Sequence, residues 1–434
     1  MHMRGRLLEN VVLPMSDSLL GYSVMEKLAF LRSRNGTEDV AHERLNEMLR
    51  FACENTQYYR ELGIRHSADP LETLSQFPIL TKQILRERSE SLLSRPVKEL
   101  AKNSSSGSSG FQSVVYWSKD DTSWVRASTL LWWEWAGYRL DDPVLQTGIT
   151  PNRGWMKSAK DRLTRTYYLQ AFSHERKEVE KALLWAANQR SPVLAGYASS
   201  LYVLAQFAWE AGIQVRFKTA VSWGDKLFPH YRKMIEKAFG CRVHETYGSA
   251  EGLMMAAQKD LDHMYVMTPN AHIELLDDEG RPVPDGQIGH VVVTGLNAKG
   301  MPLIRYRIGD LAIRMQKEKY PQERELGFPL LEKVIGRDTD IVKTPSGRFL
   351  VVHAFTGIFE HHPEISQFQI EQNTRDGILI RYIPGEGFNQ DILESIERKI
   401  AQAVEEPFEI RFDQVGHIPA SGSGKPQLIV SKLK

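Results

Sequence analysis

Four short segments carry the residue types that could do chemistry. They are Ser105-Ser106-Gly107-Ser108-Ser109-Gly110, Tyr247-Gly248-Ser249-Ala250-Glu251, Arg305-Tyr306-Arg307-Ile308-Gly309-Asp310 and Gly424-Lys425. Glycines let backbone N–H groups approach phosphate oxygens, and serine hydroxyls add donors. The Tyr247 ring can stack on adenine. Glu251 offers the oxygen ligand that a hard cation such as Mg2+ requires. Asp310 can accept hydrogen bonds from two ribose hydroxyls, with Arg305 and Arg307 available to offset phosphate charge. Lys425, on a glycine-rich loop, can reach into another domain's site and hold the charge that builds between a carboxylate and an α-phosphate. Jointly these parts would join a carboxylic acid to AMP. Singly each has a bland reading: a solvated linker, a strand-ending turn, a hairpin turn with solvated charges, and a surface lysine.

A fifth segment, Ser222-Trp223-Gly224-Asp225, ends the strand before the tyrosine segment and supplies a second wall for a nucleotide-sized crevice. The serine-rich loop does not fit the Walker A pattern. Gly422-Ser423-Gly424-Lys425-Pro426 lacks its first glycine and its Ser/Thr. His244 and His263 flank the tyrosine segment without a cysteine cluster, and His361-His362 cannot share a helix face. Histidine-bound metal is therefore not expected.

These segments must be positioned by larger elements. Residues 16–62 read as mostly helical, and 82–93 as a further helix. The stretch 103–110 is too polar for a strand, and a strand candidate follows at Ser113–Trp117. Residues 122–140 form an amphipathic helix with Trp124, Ala127, Leu131, Trp135 and Tyr138 at three- and four-residue spacing. From 178 to 248 helix and strand alternate: helices at 178–189, 199–211 and 226–239, strands at 192–197, 213–222 and 242–247. That rhythm implies right-handed crossovers and a parallel sheet, whose ligands bind beyond the strand C-terminal ends. His272–Leu276 and Gly289–Gly295 then read as antiparallel strands of a small β-subdomain. Beyond Gly336-Arg337 comes an α+β module with a hairpin near 341–352, helices at 354–361 and 388–403, strands at 366–372 and 377–383, and terminal strands. The fold class is thus α/β. A large N-terminal domain (1–335) with mainly parallel sheets and a small β-subdomain precedes a small, mobile α+β C-terminal domain (336–434).

The whole chain agrees with this division. At 434 residues it exceeds what one core usually holds. Lys+Arg 55 against Asp+Glu 54 gives no electrostatic case for nucleic acid or an anionic membrane. Cys53 and Cys241 are the only cysteines, too few for a disulfide framework or a zinc cluster, which suits a reducing cytoplasm. No run of about 18 apolar residues suggests a membrane span, and the N-terminus is too short and polar for a signal peptide.

The segments and their order resemble the adenylate-forming superfamily of acyl-CoA synthetases and peptide-synthetase adenylation domains. More narrowly the chain is similar to the phenylacetate–CoA ligase and coenzyme F390 synthetase-related branch. Asn55-Thr56-Gln57-Tyr58-Tyr59-Arg60-Glu61-Leu62 and Phe77-Pro78-Ile79-Leu80-Thr81-Lys82 carry that narrower likeness. The resemblance implies that Ser105–Gly110 is the phosphate loop, Tyr247 the adenine platform, Glu251 the Mg2+ ligand, Asp310 the ribose acid and Lys425 the catalytic lysine. It places Arg337 near the ribose, at a hinge in Gly336–Asp340. Thr339 stands where the family usually has an acid, and Ile308 replaces a common threonine. The zinc-binding cysteines of some relatives are missing after the tyrosine segment, so no zinc is expected. The implied cofactors are ATP and Mg2+, with CoA or phosphopantetheine as acceptor. The implied partners are a carboxylic acid, CoA or an acyl carrier protein, and a second copy of the chain. An aryl acid is the first substrate expectation, from the branch and from Trp132, Trp133, Trp135 and Trp223. Two alternatives stay open at this point: an amine or alcohol acceptor, and a nucleotide-binding module without catalysis.

Overall fold

A computed structural model describes every residue except 1, 2, 37, 105–113, 149–160, 172–175, 338–340, 347, 348, 352–354, 356, 357, 360, 363, 419–427, 432 and 434. The chain divides into two compact units. Most of the first lies in Val114–Ile308, Ile313–Lys333 and the N-terminal hundred residues; the second comprises Gly309–Ala312 and Val334–Lys434.

The first unit is built on one sheet. Strands β1 (Ala101–Ser104) and β2 (Val114–Trp117) form a separate antiparallel hairpin. Asn103 and Ser104, expected in an irregular stretch, are strand residues. They pair with Val115 and Val114, because a ladder uses backbone groups whatever the side chains are. The parallel core comprises β3 (Val144–Gly148), β4 (Thr166–Gln170), β5 (Val193–Tyr197), β6 (Thr219–Trp223) and β7 (Val243–Gly248), ordered β4-β3-β5-β6-β7. Strand β6 starts at Thr219 rather than at Ile213. Phe217 N donates to Phe239 O at 3.1 Å and Lys218 N to Pro192 O at 2.7 Å, so these residues join neighbouring loops. Beyond β7 the direction reverses through β8 (Met254–Ala257) and β9 (Met264–Val266). The strands expected as a β-subdomain, β10 (Ala271–Leu276) and β11 (Ile288–Gly295), are antiparallel as read. With β12 (Tyr306–Arg314) and β13 (Leu330–Arg337) they extend the same sheet to 11 strands.

Helices cover both faces. Helix α1 (Val24–Arg32) packs its buried Leu28 and Leu31 against Trp124, Leu131 and Trp132 of helix α2 (Lys119–Trp135). A capping box starts α2: Ser118 Oγ accepts from Asp121 N and the Asp121 carboxylate accepts from Ser118 N. On the other face lie α3 (Arg176–Ala187), α4 (Ala198–Glu210) and α5 (Pro229–Phe239). Their Leu183, Leu201, Leu204, Ile235 and Phe239 close over Leu145, Leu194, Ala220 and Val243. Burying each large apolar side chain contributes about 1.5–3 kcal/mol.

In the second unit β14 (Ile341–Lys343) and β15 (Phe349–Val351) form the expected hairpin. Strands β16 (Ile365–Thr374), β17 (Gly377–Pro384), β18 (Glu409–Gln414) and β19 (Ile429–Ser431) form a sheet ordered β18-β17-β16-β19. Helix α6 (Gln390–Val404) buries Leu393, Ile396, Ile400 and Val404, one helical stripe. The Gln372 side chain ties the hairpin to β16, accepting from Lys343 N at 2.9 Å and donating to Lys343 O at 2.7 Å. Of the helix expected at 354–361, residues 355, 358 and 359 are helical, and 354, 356, 357 and 360 lie outside the described residues. Among the described residues no helix is long and apolar enough to cross a membrane.

The large sheet also holds two histidines in the neutral form. Burial, reinforced by the Arg242 charge, pushes His244 down to about 4; its Nδ1 lies 3.0 Å from Thr219 Oγ1. Burial, with Arg314 nearby, pushes His272 down to about 4 as well. An unfolded histidine titrates near 6.5. Between these values the unfolded chain takes up protons that the folded chain refuses, so stability falls as pH drops from about 6.5 towards 4. Urea midpoints measured from pH 7 to 4.5 should therefore decline, and His244→Gln should make the decline shallower.

Candidate active site

The parallel register brings two predicted segments to one edge. Ser222 pairs with Gly196 and Glu245, so the C-terminal ends of β5, β6 and β7 lie side by side. Thr246 Oγ1 donates to Ser222 O at 2.9 Å and links the last two. Ser222, Gly224, Asp225, Tyr247, Gly248, Ser249 and Glu251 all sit on this edge.

Local chemistry fixes the turns. Gly224 has φ +80°, and a Cβ there would lie 2.4 Å from the Tyr197 ring. Asp225 has taken a structural task. Its carboxylate accepts from Ala198 N at 2.6 Å and Ser199 N at 3.1 Å, and from the Ser199 hydroxyl, capping the start of α4. Asp225→Ala should cost about 1–2 kcal/mol of stability in urea denaturation, with nucleotide affinity changing far less. A loss confined to nucleotide affinity would show that the cap is secondary. Trp223 stacks on Trp133, ring centres 5.8 Å apart. Trp135 instead packs against Tyr265 and Phe328 in the core. Trp132 is buried, and its indole N–H has no hydrogen-bond partner among the described residues.

A register shift between Tyr247 and Gly248 breaks the β7–β8 ladder and re-aims the chain. Ser249 N donates to Leu253 O at 2.9 Å and Gly252 N to Ser249 O at 3.0 Å, closing a tight turn around Glu251. Tyr247 and Glu251 are both largely buried. The Glu251 carboxylate accepts from Tyr306 Oη at 3.1 Å through Oε1, and its backbone carbonyl accepts from Trp117 Nε1 at 3.2 Å. Glu251 Oε2 accepts no hydrogen bond from the described residues. A small recess opens beside it, lined by Trp117, Trp124, Ser128, Met254, Asn270 and Asn297 among others. Behind that wall runs a buried polar chain. Arg44 donates to Asn297 Oδ1, Asn297 to Asn270 Oδ1 at 3.0 Å and Asn270 to Ser128 Oγ at 3.0 Å.

The two arginines considered for phosphate are engaged elsewhere. Arg305 grips Glu274 with Nε at 3.1 Å and Nη2 at 3.0 Å, and donates to Phe77 O at 2.9 Å. Arg307 donates to His290 Nδ1 at 2.8 Å, beside Asp278. Asp310 lies on β12 and Arg337 ends β13, both half-buried and both in the second unit. Ser105–Gly110 and Lys425 lie outside the described residues. The roles of Trp117 and Tyr306 were not read from the sequence. Tyr306 stood inside a quoted segment, but nothing in a sequence pairs it with a carboxylate 55 residues away.

Residues 171–300 match the model of the AMP-binding enzyme family, and the match contains both the Ser222–Asp225 and Tyr247–Glu251 turns. The chain is similar to the adenylate-forming superfamily, and more narrowly to its phenylacetate–CoA ligases. The chain is 22% identical over 423 residues to Protein CapK of Staphylococcus aureus, covering 94% of the chain and 92% of that protein. It is 24% identical over 318 residues to a phenylacetate–coenzyme A ligase of Pseudomonas putida, covering 69% and 70%. Its fold is that of 2-hydroxyisobutyryl-CoA ligase captured with an acyl-AMP, with TM-score 0.69 at 20% identity over 91% of this chain and 89% of that one. ATP-bound MatB from Rhodopseudomonas palustris gives a TM-score of 0.55 at 18% identity over 77% and 68%.

Proposed function

We propose that this enzyme activates a carboxylic acid with ATP as an acyl-adenylate, releases pyrophosphate and passes the acyl group to the thiol of CoA or of a carrier protein. The observation that carries the reading is the buried Glu251 carboxylate at the C-terminal end of β7, with one oxygen held by Tyr306 and the other without a described partner. Among the described residues no three His, Cys, Asp or Glu side chains come together as a metal cage. A lone carboxylate still suits Mg2+, which binds through one or two carboxylates plus substrate phosphates. Bound there with ATP, Mg2+ would neutralise phosphate charge.

In this reading the acid's carboxylate attacks the α-phosphorus in line with the departing pyrophosphate. The protein contributes position and electrostatics. Ser105–Gly110 cradles phosphate, Tyr247 and the Ser222–Gly224 turn hold adenine, and Asp310 and Arg337 hold the ribose. Residues 1–335 act as the acid- and ATP-binding domain. Residues 336–434 act as the mobile domain that brings in Lys425 and then turns to admit the thiol. An aryl acid is the first substrate class to try, with the stacked Trp133–Trp223 pair as support. The balanced charge and free cysteines favour a cytoplasmic setting. The acceptor is tested by supplying preformed acyl-adenylate with CoA, a pantetheinylated carrier or an amine. Thioester with either thiol supports the reading, and amide alone would replace the acceptor.

A further inference from the structure

We infer that Tyr306 is a positioning residue for the metal-binding carboxylate, and that Trp117 holds the same residue by its backbone. The inference rests on the reading of Glu251 as the Mg2+ ligand. Tyr306 is fully buried, and its hydroxyl donates to Glu251 Oε1 at 3.1 Å. A carboxylate held at one oxygen presents the other in a fixed direction. Without that donor it rotates freely about its terminal torsion, which has broad wells. Trp117 adds a second grip. Its indole N–H donates to Glu251 O at 3.2 Å, and its ring lies over Gly252, where an added Cβ would come within 2.7 Å. Glu251 is therefore clamped through side chain and main chain by residues from β12 and β2. That is the outer-shell support by which metal ligands are usually oriented.

The test uses the full chain with Mn2+ as probe and a non-cleavable ATP analogue, with bound Mn2+ counted by electron paramagnetic resonance. A charge-assisted hydrogen bond of ordinary strength corresponds to about a tenfold change in affinity. Tyr306→Phe should therefore weaken Mn2+ binding in the ternary complex about tenfold, while metal-free nucleotide binding stays at the parent value. Trp117→Phe keeps the ring over Gly252 and removes only the N–H, so it should weaken Mn2+ binding about two- to threefold, a fraction of the same effect. It also serves if the Tyr306 variant loses its fold. Glu251→Gln is the control for the underlying reading and should weaken Mn2+ binding more than either. Unchanged Mn2+ affinity in Tyr306→Phe, with Glu251→Gln impaired, overturns the positioning role alone. Unchanged affinity in Glu251→Gln overturns the metal assignment.

Discussion

Lys425→Ala should lower acid-dependent exchange of pyrophosphate into ATP by about a hundred- to a thousandfold, the scale seen when one preorganised donor to developing charge is removed. ATP affinity, measured by calorimetry, should change little, because in the proposed mechanism the lysine acts on charge that appears only as the acid and the α-phosphate meet. Thioester formation from preformed acyl-adenylate should also survive, since in the proposed mechanism that half-reaction follows the domain turn. Full exchange activity in the variant would remove the lysine from the mechanism. It would also remove the reason to assign a catalytic task to the C-terminal module.

Gly252→Ala should be nearly as damaging, by a different route. Gly252 has φ +87°, which a residue with a Cβ adopts at a cost of about 1 kcal/mol or more. Its new methyl would also lie 2.7 Å from one Trp117 ring carbon and 2.9 Å from another. The ring cannot yield without releasing its hydrogen bond to Glu251 O. The strained backbone and displaced indole together should cost about 2–3 kcal/mol of stability. Adenylation should fall further than that loss predicts, because Glu251 moves with the turn. Urea denaturation and pyrophosphate exchange on the same preparation separate the two effects. A variant with parental stability and rate would show that the turn is looser than its geometry.

Much of the fold was legible because its signals are local. Alternating helix and strand between 178 and 248 announced a parallel sheet, and the register confirms adjacency of β5, β6 and β7. Helix α2 was visible from the spacing of Trp124, Ala127 and Leu131, all buried. Less legible was the continuity of the sheet. The strands read as a subdomain are built into it, and a change of hydrophobic period does not say which edge a strand joins. The site follows the same division. Tyr247–Glu251 and Ser222–Asp225 were singled out by residue type and by their place after strands, and the strands they follow are neighbours in the sheet. Asp225, counted among nucleotide-binding residues, is committed to the start of α4, and Arg305 to Glu274. A carboxylate or guanidinium looks the same in sequence whether it faces a ligand or a neighbouring helix. Long-range pairs such as Tyr306 with Glu251 have no local signature at all.

The most direct measurement is the incorporation of labelled pyrophosphate into ATP by the purified chain, across a panel of aryl and alkyl acids. Exchange that appears only with Mg2+ and with particular acids, and disappears in Glu251→Gln, is the expected result. An enzyme that binds ATP yet catalyses no exchange with any acid, while the same preparation is folded, would contradict acyl-adenylate formation.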